Sequence, residues 1–160
     1  MSRIVDPAAR AQIEELLARY SHTINNDVLE DWPGLFLEDG RYLITTRENH
    51  AKGWPIGIVY CDGQGMMRDR VIALRQAIVF APHVYRHILS GMLIGEVADG
   101  SYTAETNFHI LRVGVDGAIV TYNCGRYLDE IVWCGGQMRF RSRTVVLDSS
   151  RIDTLLVIPL

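Results

Sequence analysis

The residues able to do chemistry in this chain are five histidines, three cysteines and a few acids and tyrosines, and their spacing decides which reactions stay open. His83 and His87 lie four apart, which on a helix would turn both imidazoles toward one metal ion. Their surroundings read as the start of a strand, where four residues span about 13 Å, too far for two ligands of one ion. Each then reads as a packed, hydrogen-bonded histidine. An iron–sulfur centre held by two cysteines and two histidines, or a mononuclear iron held by two histidines and a carboxylate, needs patterns that the sequence lacks. Cys61, Cys124 and Cys134 form neither an even set nor a Cys-x-x-Cys pair. That fits free thiols in a reducing compartment, serving as core or near-surface filler rather than as nucleophiles.

Proton transfer beside a carbonyl is the chemistry left for a buried tyrosine with an acid or a histidine, and Tyr20, Asp31, Asp39, His22 and His87 are the candidates. Tyr20 falls on the apolar stripe of a helix, so the simpler explanation is a core tyrosine whose hydroxyl finds a partner. Asp31 and Asp39 flank a short helix and a turn, where aspartate needs no functional reason. Arg139, Arg141 and Arg143 alternate along a strand, which would put three guanidiniums on one face. Such a row calls either for acids opposite, such as Asp129 or Glu105, or for a partner surface. The apolar end, Leu155-Leu156-Val157-Ile158-Pro159-Leu160, reads as a last strand running into an oligomer interface.

The elements that must position these residues are legible from period and punctuation. Asp6-Pro7 is an N-cap followed by the residue favoured at the first helical position, and Ile13, Leu16, Leu17, Tyr20 and Ile24 recur at helical spacing, predicting a helix over 7–25. Asp27 can cap a second, short helix with Leu29, Trp32, Leu35 and Phe36 on one side. Asp39-Gly40 then reads as a turn, 42–46 as a strand, and the glycine-bearing stretch after it as a long loop against a partner or over a pocket. Helical period returns from Met66 to about Phe80 and stops at Pro82. Turn signals at Asp99-Gly100, Asp116-Gly117 and Gly135-Gly136 separate four strands, the last ending at Ile158. Helices first and hairpins afterwards is an α+β order, with the helices packed into one strongly curved antiparallel sheet.

At 160 residues the chain fits a single domain over 1–160, with 48% hydrophobic and 22% charged residues. A net charge of −3 with scattered basic residues carries no footprint for nucleic acid or for an anionic membrane. No apolar run has the length of a signal peptide or a membrane span, so the expected location is the cytoplasm.

Asp31-Trp32-Pro33 with Leu35-Phe36 and Asp39-Gly40, then Arg47-Glu48-Asn49-His50-Ala51 through Gly57-Ile58-Val59, resembles the small (beta) subunits of aromatic-ring-hydroxylating dioxygenases. The likeness continues through Asp69-Arg70-Val71, Ala73-Leu74-Arg75, Tyr85-Arg86-His87-Ile88-Leu89 and Gly125-Arg126-Tyr127-Leu128-Asp129 to Asp148-Ser149-Ser150 and Asp153-Thr154-Leu155, covering essentially the whole chain in order. The resemblance implies a cystatin-like, nuclear-transport-factor-2-like cone and a non-catalytic role in aromatic-compound catabolism. It implies three large and three small subunits, with the small ones associating as a trimer. The Rieske 2Fe-2S cluster, the mononuclear Fe(II) and the substrate pocket would sit on the large subunit, fed by a separate NADH-dependent reductase. Its aromatic-carboxylate branch, acting on terephthalate, anthranilate, salicylate or benzoate, is closest, with terephthalate first from Asn49-His50-Ala51 and Tyr85-Arg86-His87. No catalytic, cofactor or metal residue carries over to this chain. A partner interface is expected at Arg86, His87, Arg139, Arg141, Arg143, Leu155, Ile158 and Leu160. The competing expectation is a stand-alone cone-fold isomerase or dehydratase using Tyr20 with an aspartate or histidine.

Overall fold

The computed structural model describes residues 5–55, 57–77, 83–151 and 158–160. Helix α1 runs Pro7–Asn25. The Asp6 carboxylate accepts the Ala9 N–H at 3.1 Å, and Pro7 begins the helix where its missing N–H costs nothing. Ala9, Ile13, Leu16, Leu17, Tyr20 and Ile24 form its buried stripe.

The expected second helix is instead two 3-10 turns, Leu29–Asp31 and Pro33–Leu35. Pro33 cannot donate to Leu29, so the ladder of a regular helix stops there. Asp27 caps neither turn. It sits in the left-handed region (φ 56°), and its carboxylate and that of Glu30 receive Arg75 at 2.8 and 2.7 Å. Phe36, expected on the helix, opens strand β1 (Phe36–Thr46), and Asp39-Gly40 lies within that strand as a register irregularity rather than between elements. The expected long loop contains α2 (Arg47–Ala51), capped by the Thr46 hydroxyl, and an edge strand, β2 (Val59–Asp62). Helix α3 spans Gln64–Ala77 and buries Met67, Val71 and Leu74. The expected continuation through Phe80 to Pro82 lies outside the described residues.

Four long strands follow, β3 (Val84–Glu96), β4 (Tyr102–Val113), β5 (Ile119–Cys134) and β6 (Gln137–Leu147). The three dipeptide turns fall between them as expected, with Gly100 and Gly117 both at φ 82°. The sheet order is β2-β1-β6-β5-β4-β3. It is not wholly antiparallel, because β1 pairs with β6 in parallel. No hairpin joins those two strands, so nothing forces them to run in opposite directions. Register shifts at Ser90/Leu93, Ile110/Leu111 and Glu130/Ile131 bend the strands around the helices.

The core lies between the helices and the inner sheet face. Trp32, Phe36, Tyr42, Phe140, Tyr20 and Tyr127 form a chain of mostly edge-to-face rings across it. Close approach is tightest at Gly125 on β5, where an added Cβ would stand 2.0 Å from the Val146 carbonyl oxygen. Gly125→Ala is therefore expected to destabilise the fold by about 2–3 kcal/mol, read as a lower urea midpoint at unchanged m-value.

Candidate functional site

A single bulge organises the interior polar groups. Opposite β5, Glu130 pairs with Ser142 and Ile131 with Phe140, so Arg141 is an extra residue and the facing of β6 reverses across it. Met138 and Phe140 point inward before the bulge, and Arg143, Val145 and Leu147 point inward after it. The three arginines therefore do not share a face. Arg139 donates Nη1 to the Gly34 carbonyl (2.7 Å), and Arg141 stands exposed, 3.5 Å from Asp99. Arg143 is 1% exposed, which removes it from any partner surface.

Arg143 makes a two-pronged pair with Asp129, Nε to Oδ1 at 2.8 Å and Nη2 to Oδ2 at 2.7 Å. Of the two acids considered for the arginine row, Asp129 takes this role, while Glu105 pairs with Arg126 at 2.9 Å. Rings enclose the guanidinium, with Tyr127, Tyr20 and Phe140 centred 3.9, 4.0 and 4.3 Å from its central carbon. Burial pushes the Asp129 carboxyl upward, and the Arg143 charge and hydrogen bonds oppose that shift. Burial acts against the Arg143 charge, yet Asp129 holds the guanidinium above its ordinary value. The geometry is that of a charged pair locked in place.

The second interior feature is a clamp on Leu160, which is 0% exposed. Its N–H donates to the Tyr42 hydroxyl at 2.8 Å, and its carbonyl accepts from Tyr20 at 2.5 Å and from Tyr42 at 3.2 Å. The expectation of an oligomer interface is corrected at Leu160 alone, which packs into its own core, while Ile158 is half-buried against that core. Two tyrosine hydroxyls supply the backbone with partners that water would otherwise supply, which makes the inward turn affordable. Leu155 lies outside the described residues. Burial raises Tyr20, and raises Tyr42 and Tyr127 well above the ordinary phenol value.

His87 faces inward from β3, its Nδ1 2.7 Å from the Asn25 Oδ1, which also accepts the His87 N–H at 3.1 Å. It is the packed, hydrogen-bonded histidine foreseen as one reading, and at 7% exposure it offers no partner surface. Desolvation, then the Arg143 charge, lowers it to about 4. Asp31, Asp39 and His22 are exposed and make no hydrogen bond to Tyr20, whose hydroxyl is committed to Leu160. The candidates for a proton-transfer site are thus not brought together, and at neutral pH the interior holds neutral phenols, a neutral imidazole and a locked ion pair. Arg86 and His83 are exposed, at β3 and just before it.

An iron–sulfur cluster would not fit this chain. Cys124 and Cys134 stand ten residues apart on β5, roughly 30 Å, and Cys61 is on β2 at the opposite sheet edge from His87 on β3. Among the described residues no group of three or more His, Cys, Asp or Glu is placed to hold a metal ion, and no helix is long and apolar enough to cross a membrane. Sequence reasoning named Asp129 as an acid opposite the arginine row but missed Tyr127 and the two-pronged pairing with Arg143. Tyr127 and Asp129 are two apart on one strand and so share its inner face, a signal that was available; the bulge that delivers Arg143 to them has no residue signature.

Residues 6–144 match the SnoaL-like domain, and the architecture is the α+β cystatin-like cone. The chain is 39% identical to the anthranilate 1,2-dioxygenase small subunit of Burkholderia cepacia, covering 93% of this chain and 92% of that one. It is 38% identical to subunit beta 1 of the terminal oxygenase component of terephthalate 1,2-dioxygenase from Comamonas sp., covering 93% and 97%. A crystal structure assigned to the beta subunit of an aromatic-ring-hydroxylating dioxygenase of Novosphingobium aromaticivorans superposes with a TM-score of 0.86 at 37% identity, covering 96% and 97%. The cone is thus of the SnoaL-like class. Within it, this chain belongs to the small subunits of aromatic-ring-hydroxylating dioxygenases.

Two outcomes check the interior. Asp129→Asn strands a buried guanidinium and should cost about 3–5 kcal/mol in urea unfolding, whereas replacing Asp129 and Arg143 together by Leu and Met should recover most of that loss. His87 binds fewer protons folded than unfolded between pH 6.5 and about 4, so stability is full above that window and falls as pH drops through it. The expected loss is roughly 3 kcal/mol, and it should be absent from the pH profile of His87→Gln.

Proposed function

We propose that this chain is the structural small subunit of a terminal oxygenase that dihydroxylates an aromatic carboxylate, with iron and substrate held by a large subunit. The observation that carries the non-catalytic part is the filled interior, where Tyr20 is spent on Leu160 and Arg143 on Asp129. The Rieske 2Fe-2S cluster and the mononuclear Fe(II) belong to the large subunit, because this chain's cysteines and histidines are scattered over helices and sheet. Residues 1–160 act as one domain, assembled as three small subunits on three large ones in the cytoplasm, with a separate reductase delivering electrons from NADH. Arg86, Arg139, Arg141 and Ile158 remain as surface contributors to that assembly.

Terephthalate and anthranilate, the substrates in the relatives' names, share an aromatic ring with a carboxylate, which supports the substrate class. Identities of 39% and 38% do not separate the two, and terephthalate is the first compound to assay. Co-expression with the large subunit encoded nearby, followed by size determination and iron analysis, tests the reading. A co-purifying complex should form, with iron following the large chain and turnover of an aromatic carboxylate only when reductase is added. A lone chain that stays apart from the large subunit and turns over substrate unaided would refute it.

A further inference from the structure

Outside the cone, an open groove of about 600 Å³ runs between the second half of α1, the two 3-10 turns and the start of β6. Arg19, His22, Asn26, Asp31, Gln137 and Arg139 are among its walls. Arg19, His22, Thr23 and Asn26 follow one another at helical spacing, so they share a face of α1. The two guanidiniums differ from the other arginines of β5 and β6. Arg126, Arg141 and Arg143 each meet a carboxylate within the chain. Arg19 makes no ion pair among the described residues. Arg139 is held by the Gly34 carbonyl alone, and its Nε, although shielded from solvent, has no hydrogen-bond partner. A shielded donor without an acceptor is costly, and here it belongs to one of two guanidiniums in a groove whose one described carboxylate, Asp31, pairs with neither.

We propose that this groove receives an acidic segment of the large subunit, whose carboxylates pair with Arg19 and Arg139. The inference rests on the reading of the chain as a small subunit. Guanidiniums suit the role because their planar fork accepts a carboxylate in two-pronged geometry, and Asn26 and Gln137 add neutral donors beside them. The other ligand with the right charge is a free aromatic carboxylate. That ligand calls for an enclosed site with apolar or aromatic walls, whereas this groove is wide open, with Val28 and Leu35 its apolar side chains and no Phe, Tyr or Trp among its described walls.

The test measures affinity of the small subunit for the isolated, iron-loaded large subunit at two salt concentrations. The variants are Arg19→Glu, the double Arg19→Glu/Arg139→Glu, and Arg10→Glu as a control toward the other end of α1. The single reversal should weaken binding about tenfold and the double about a hundredfold, with a shallower salt dependence, while the control stays within about twofold. Arg19 is exposed and makes no side-chain hydrogen bond or ion pair among the described residues, so Arg19→Glu decides the matter if the double variant does not fold. Reversals that bind as wild type overturn the inference and leave the subunit reading intact. Failure of the wild-type chain to bind the large subunit at all overturns both. Calorimetric binding of free terephthalate or benzoate to the isolated small subunit, abolished by Arg19→Glu, would assign the groove to a small molecule and also overturn the inference.

Discussion

A guanidinium at the centre of the cone sets the terms for the rest of this structure. Arg143 has no solvent, so its charge must be met inside, and Asp129 meets it from the neighbouring strand with two hydrogen bonds below 3 Å. Three rings close around the pair, and each comes from a different element, Tyr20 from α1, Tyr127 from β5 and Phe140 from β6. Helix, sheet and bulge are thereby held in one relative arrangement. An apolar core of the same volume would be as stable or more so, since desolvating two charges consumes most of what their attraction returns. What the pair adds is register. β6 slipped by one residue would put Arg143 outside and leave Asp129 buried alone.

The same interior explains why a fold able to host acid–base chemistry does not present such a site here. Enzymatic use of a phenol requires a free hydroxyl, an acid or base within reach and room for a substrate. Tyr20 has given its hydroxyl to the Leu160 carbonyl, Asp31 and Asp39 are on the surface, and His87 is hydrogen-bonded to Asn25. Polar groups that could have lined a pocket have become fastenings. That matches a subunit whose contribution is shape and surface, with the redox chemistry held on another chain.

Much of this was legible in the sequence because local signals and tertiary outcome agreed. Asp6-Pro7 with the 13-16-17-20-24 spacing gives α1 to the residue, and three glycine-bearing dipeptides separate β3 to β6. Resemblance over the whole length supplied the cone and the family. The misses share one physical origin, the influence of distant chain on a local choice. Asp39-Gly40 looks like a turn between elements but falls in a register irregularity inside β1, whose flanking Phe36 and Arg41 pair with β6, and the apparent loop after Thr46 supplies an edge strand because β1 offers it a ladder. The arginine row was read with an unbroken period of two, which one extra residue at Arg141 reverses. Leu160 was read as part of a partner surface because no local signal shows that Tyr20 and Tyr42 would satisfy its backbone indoors.

The central claim, that this chain shapes an oxygenase without taking part in its chemistry, is met most directly by turnover of the reconstituted complex carrying Tyr20→Phe in the small subunit. Removing that hydroxyl takes away the candidate phenol while Tyr42 still holds Leu160. The expected result is a kcat within about twofold of wild type at equal assembly and iron content. A fall of about a hundredfold or more with assembly and iron unchanged, the size expected for loss of a general acid or base, would contradict it.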